Sequence, residues 1–197
     1  LTDRFSMPDQ SRSRVTWETL VFTMPDDGTG SLPLLRHIIV NDDKSSSYKL
    51  GLLRVLTRIA ESAPGIVTNR TDDYVEVPLG IIGLYWLKQY KPLLLTYHIP
   101  PHPNPRQGAG FAGDDFYNLD KISNYDLRVG VSFDAKRGAI VTGAIRDACK
   151  NITAMPARYI TWPGQNRPVF EYEKSTVRIS GKPVTLSKSF LLGFGTF

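Results

Sequence analysis

One cysteine, Cys149, and three histidines are all that this 197-residue sequence offers to soft metal ligation. A single cysteine excludes an internal disulfide and a zinc-binding cysteine cluster, and it points to a reducing compartment, the cytoplasm. Long apolar runs are lacking too. The longest, around Val77 to Leu87, is too short to span a bilayer and is soon interrupted by Lys88, Gln89 and Lys91. The start "LTDRFSMPDQSRSRVTW" lacks the apolar core of a signal peptide. A membrane is therefore not an expected partner.

Several catalytic signatures are missing as well. There is no G-x-S-x-G elbow for a nucleophilic serine and no G-x-x-x-x-G-K-S/T loop to cradle phosphates. The glycine cluster "GAGFAG" (Gly108 to Gly113) follows a proline-rich loop rather than a strand. His98 and His102 are four apart in "HIPPH", but the two prolines between them deny the helix face that a metal pair needs, and His37 stands alone. Cys149 falls on the apolar side of a helix, the place of a buried thiol rather than an activated one.

What is present is an ordinary globular composition, 41% hydrophobic, with 24 Lys and Arg against 19 Asp and Glu. That is enough apolar matter for a real core, and the net charge of +5 permits attraction to a polyanion. Residues 1–14 are polar and read as a flexible arm; residues 15–197 read as one α+β domain. The Pro/Gly-rich run at 99–113 offers a dividing point between a helical half and a helix-plus-sheet half. "VTWETLVFTM" (Val15 to Met24) suits a short strand or buried segment, "PDDGTGS" a turn and "LPLLRHIIV" a short apolar element.

Between Tyr48 and Ala60, Leu50, Leu53, Val55 or Leu56, Ile59 and Ala60 recur at helical spacing. Ser46 or Ser47 is placed to accept from the free N–H groups of the first turn. A second helix lies in "VPLGIIGLYWLKQYKP", with Pro78 in its first turn and Pro92 at its end; apolar residues cover nearly its whole circumference, which predicts a central, buried element. A short helix is expected after Asp114 and Asp115, and "YDLRVGVSF" is expected to be extended. A third long helix is predicted from about Ala135 to Asn151. Beyond it, "ARYITW", "PVFEYE", "TVRIS" and "PVTLS" are β-prone runs, the pattern of a small antiparallel sheet towards the C-terminus. The final "KSFLLGFGTF" is too apolar for an exposed tail and would suit the start of further structure.

Two patterns carry chemistry. Pro25-Asp26 followed by Asp42-Asp43-Lys44 has the residue types of a metal-dependent nuclease site, P-D…D-x-K: two carboxylates for a hard cation and a lysine for the attacked phosphate. On that reading Asp26, Asp42 and Lys44 are catalytic; a turn followed by a helix start accounts for the same acids without catalysis. The other pattern is basic. Arg54 and Arg58, four apart, share one side of a helix, where like charges repel unless an acid or a phosphate lies opposite, whereas Lys49 sits about 140° away from Arg54 at ~100° per residue. Glu61, Asp72 and Asp73 are intramolecular candidates for that anion. Lys136, Arg137, Arg146 and Lys150 form a second basic group, and Arg167 and Arg178 lie among the aromatics of the C-terminal strands. Basic residues interleaved with aromatics suit backbone contact and base stacking, so these eight residues form the candidate DNA-binding set.

"NDDKSSSYKLGLLRVLTRIAE", "VEVPLGIIGLYWLKQYKPLL" and "ITAMPARYITWPGQNRPVF" together resemble the N-terminal region of bacterial HNH endonuclease-like proteins of restriction and defence, over most of residues 15–195. In that family a C-terminal domain cuts, its histidines and asparagine holding a divalent cation. No His-Asn-His segment occurs here, and no catalytic residue carries over. The resemblance implies a non-catalytic DNA-recognition module with no cofactor of its own, a divalent metal belonging only to an absent nuclease domain. DNA and that nuclease domain are the implied partners. A protein-interaction scaffold, including a homo-oligomer, is the alternative that does not require DNA.

Overall fold

The computed structural model describes residues 30–41, 46–104 and 108–197. The expected 1–14 arm, the Val15 to Met24 segment and all three P-D…D-x-K residues, Asp26, Asp42 and Lys44, lie outside them. The fold is α+β. Helices α1 (Ser31–Arg36), α2 (Tyr48–Ser62) and α3 (Leu79–Lys91) precede the Pro/Gly-rich connection, and α4 (Asp114–Asn118), α5 (Ala135–Ala154), α6 (Pro156–Tyr159) and α7 (Lys188–Leu192) follow it.

α3 is the central element, as its all-round apolar surface predicts. Leu79, Ile81, Ile82, Leu84, Trp86 and Leu87 have no solvent exposure. At about 1.5–3 kcal/mol for each large side chain buried, this one helix anchors the domain. α5 and α2 pack along it and α7 crosses its start. Two glycines permit the close crossings: a Cβ on Gly83 would lie 2.8 Å from Cys149 Sγ of α5, and one on Gly80 would lie 2.5 Å from the backbone oxygen of Leu191 in α7. Pro92 ends the α-helical pattern by lacking an N–H, yet the chain continues as a π-helical turn, Pro92–Thr96. Another such turn, His37–Asn41, follows α1.

An aromatic cluster joins the two sides of the 99–113 run. Phe111 packs edge-on to Trp86 at 5.8 Å and to Phe116 at 5.2 Å, while Tyr48 of α2 lies 6.1 Å from Phe111. Tyr48 also accepts a hydrogen bond from the Gly110 N–H at 3.1 Å. "GAGFAG" therefore serves packing.

The β structure is smaller than the runs predict. Among the described residues, three antiparallel pairs, each two residues long, join β1 (Asn69–Arg70) to β2 (Val75–Glu76), β3 (Ser132–Phe133) to β5 (Val184–Thr185), and β4 (Glu173–Lys174) to β6 (Gly195–Thr196). "ARYITW" begins as helix instead of strand, because Pro156 at the first position pre-sets a helical φ for one turn. "TVRIS" carries no strand. The apolar C-terminal run packs into the domain: Leu191, Phe194 and Phe197 are buried, and Phe197 exchanges backbone hydrogen bonds with Val77 at 2.8 and 2.9 Å.

The predicted serine cap is also different. Ser47 is the N-cap of α2, but its hydroxyl makes no capping bond and instead meets Tyr90 Oη at 3.2 Å, while Ser46 Oγ accepts only distantly, at 3.5 Å, from Tyr48 N. Among the described residues, no helix is long and apolar enough to cross a membrane.

Candidate functional site

Along α3 only Tyr85, Lys88 and Lys91 escape full burial. Their spacing of three puts them on one stripe, which faces the C-terminal end of α2 and the loop that follows Lys121. Lys91 is consumed structurally, donating to the Ile122 carbonyl at 2.8 Å. Tyr85 and Lys88 instead line an open groove of about 400 Å³ together with Arg58, Glu61 and Ser62 of α2 and Asn124 of the loop. Asn124 Nδ2 donates to the Lys88 carbonyl at 3.4 Å, and Ser62 Oγ and Tyr85 Oη lie 3.2 Å apart, which ties the three walls together.

The groove is electrically strained. Lys88 has its pKa lowered, first by burial and then by repulsion from Arg58 and Arg128. Its ammonium lies 5.7 Å from the centre of the Tyr85 ring, and Arg128 stacks at 4.2 Å on Tyr125 while donating to the Tyr125 hydroxyl at 3.0 Å. Aromatic faces hold both cations in place without neutralising them. Glu61 is the one carboxylate lining the groove, and among the described residues neither Arg58, Lys88 nor Arg128 forms an ion pair. Arg58 and Lys88 line the groove with the single carboxylate of Glu61, Arg128 adds positive charge from beside it, and hydroxyl and amide groups of Ser62, Tyr85 and Asn124 border it.

The structure brings together only part of the DNA-binding set. Arg54 lies exposed one turn before Arg58, and among the described residues neither takes up Glu61, Asp72 or Asp73 as an ion-pair partner. On α5, at ~100° per residue, Lys136, Arg146 and Lys150 fall within about 80° of one another and Arg137 is turned away from them. Lys136 and Arg137 stand at its N-terminus, where Arg137 Nε is 3.8 Å from the capping Asp134, whose carboxyl also accepts from Arg137 N at 2.9 Å. Arg146 Nε is 3.8 Å from Asp147, and at ~100° per residue it projects from the side opposite Arg137, with exposed Lys150 one turn further. Arg167 Nη2 lies 3.9 Å from Glu171, and Arg178 is exposed on the C-terminal segment. The reading of residues in order missed Lys88 and Arg128; the three-residue spacing of polar positions in an otherwise apolar helix is the signal that could have found Lys88.

Other chemistry finds little support. Burial pushes the Cys149 thiol far up in pKa, and it donates to the Leu79 carbonyl at 3.4 Å. His102 Nδ1 accepts from Asn104 N at 2.9 Å. Asp115 is raised by burial and by the charge of Asp147, with Arg146 opposing, but among the described residues no group of three His, Cys, Asp or Glu side chains is arranged to hold a metal ion.

No curated protein and no solved structure matches the chain. Residues 28–197 match a family described as a domain of unknown function (DUF8808), and the chain belongs to that family.

Proposed function

We propose that this member of the family is a DNA-binding module that grips the phosphate backbone and does not itself cut. The observation that carries this is the groove between α2, α3 and the Asn124 loop, where Lys88 feels the repulsion of Arg58 and Arg128 and Glu61 is the one lining carboxylate. A backbone phosphate entering it relieves that repulsion, accepts from guanidinium and ammonium groups at once, and releases condensed counterions. Arg54, one turn along the same helix, extends the contact towards a neighbouring phosphate. The resemblance to restriction and defence proteins supplies the setting, in which such a module positions a nuclease domain on its target. Phosphate contacts fix register and orientation, which is what a positioning module has to do.

Titrating the protein into a fluorescently labelled duplex at low salt, and following anisotropy, tests this. Saturable binding that weakens steeply as salt rises is expected, with the DNA left intact in Mg²⁺ or Mn²⁺. Absence of binding to any duplex at low salt refutes the proposal; cleavage refutes its non-catalytic part.

A further inference from the structure

Residues 160–169 form a hairpin whose construction goes beyond backbone gripping. Val169 N donates to the Ile160 carbonyl at 2.9 Å, Thr161 bridges to Pro168, and Trp162 N donates to the Arg167 carbonyl at 3.0 Å. At the tip, Gln165 N donates to the Trp162 carbonyl at 3.0 Å, enclosing Pro163 and Gly164. Proline second and a glycine at φ +69° third make the type II pattern, in which proline fixes one dihedral and only glycine takes the next without strain. The tip is therefore rigid. Its root is rigid as well, since Ile160 has no exposure and α6, which leads into it, packs on α2, the helix that carries Arg54 and Arg58.

Everything beyond the root points to solvent. Trp162 is 37% exposed, and Gln165, Asn166 and Arg167 are exposed. Among the described residues, the side chains of Gln165 and Asn166 make no hydrogen bond, and Arg167 has only its loose 3.9 Å contact with Glu171. From Ala148 to Phe170 the sequence contains no acid, so nothing on the ribbon repels a polyanion. A rigid ribbon spends an indole, two primary amides and a guanidinium on open water.

Those groups match base edges. Amide side chains of Asn and Gln pair with the N6 and N7 of adenine, a guanidinium with the O6 and N7 of guanine, and an indole offers a stacking face; a two-stranded ribbon fits the width of the B-DNA major groove. We infer that the 160–169 hairpin is the element that reads DNA sequence, with Gln165, Asn166 and Arg167 as its base contacts, while the groove around Lys88 supplies sequence-independent grip. This rests on the DNA-binding reading above and adds specificity to it.

The test is selection of the full chain on duplexes with a randomised centre, followed by affinity measurements on the selected and a scrambled duplex. The wild type is expected to enrich a defined motif and to prefer it by about tenfold or more for each well-read base. The double variant Gln165→Ala, Asn166→Ala is expected to lose that preference while its affinity for the scrambled duplex stays within about twofold. Arg167→Lys, which keeps the charge and loses the planar fork, is expected to lower discrimination at a guanine position without lowering scrambled-site affinity. Binding without any enriched motif, or a preference that survives all these substitutions, overturns the hairpin assignment and leaves the groove intact. Failure to bind the pool at all overturns both.

Discussion

Replacing Lys88 by Met should stabilise the free protein while weakening the DNA binding proposed for it. Lys88 is held partly out of water beside Arg58 and Arg128, and all three effects lower its pKa. Two solvent-screened like-charge neighbours cost about 0.2–0.5 kcal/mol each. The contact of the ammonium with Tyr85, at 5.7 Å from the ring centre, is lost, but methionine keeps the stem and its sulfur packs on an aromatic ring with comparable strength. The net gain is about 0.5–1 kcal/mol, a rise in Tm of about 1–4 °C for a chain of this size. Salt and pH provide the signature. At 1 M salt, where screening falls to about 3 Å, the gap between wild type and variant should close. Because the folded state holds the Lys88 proton less tightly than the unfolded one, wild-type stability relative to the variant should rise as pH climbs through the lowered value towards 10.5. Thermal melts at low and high salt, and denaturant melts from pH 8 to pH 10.5, measure both. A variant that is less stable at low salt, or a gap indifferent to salt and pH, refutes the idea that this groove is a site of unrelieved repulsion.

Gly83→Ala places a methyl 2.8 Å from Cys149 Sγ and 3.2 Å from the Ile145 carbonyl, so α3 and α5 must separate. Overpacking at about 1–3 kcal/mol outweighs the gain of about 1 kcal/mol in helix propensity, and calorimetry should show a Tm lowered by a few degrees. Tyr90, whose pKa is pushed up to about 12 chiefly by burial, keeps its proton in the folded state when the unfolded chain has lost it above pH 10. Wild-type stability should fall between pH 10 and about pH 12, by about 2–3 kcal/mol in all. Tyr90→Phe should abolish most of that fall, at a cost near neutrality of about 0.5–1.5 kcal/mol from the lost bond to the Ser47 carbonyl; urea titrations across this range decide it.

The helices were legible because their periodicity is local. α2 starts at the predicted Tyr48 and α5 at the predicted Ala135, and α3 is buried as its continuous apolar surface requires. α2 ends at Ser62, where "SAPG" is expected to stop it, and α5 runs three residues beyond its expected end, to Ala154. The strands were legible only as β-prone runs. Whether Val184 pairs with Phe133, or Glu173 with Thr196, depends on partners some 20 to 50 residues away, which no local pattern encodes. The serine cap failed for a similar reason: Tyr90, 43 residues on, claims the Ser47 hydroxyl. The same limit explains the site. Arg58 was visible as half of an i, i+4 pair, but its gathering with Lys88 and Arg128 requires α2, α3 and the Asn124 loop to meet. Of the basic group Lys136, Arg137, Arg146 and Lys150, the helix keeps Lys136, Arg146 and Lys150 within about 80° and turns Arg137 away from Arg146, because nine residues amount to half a turn beyond two full ones.

The groove's role is tested most directly by the salt dependence of duplex binding for the wild type against the triple variant Arg58→Gln, Lys88→Gln, Arg128→Gln, with thermal melts to confirm the fold. Each phosphate contact contributes about 0.9 to the slope of log K against log salt, so loss of all three should make the slope less negative by about 2.7. A variant that binds with the wild-type slope and affinity would contradict the assignment of these cations to the DNA backbone.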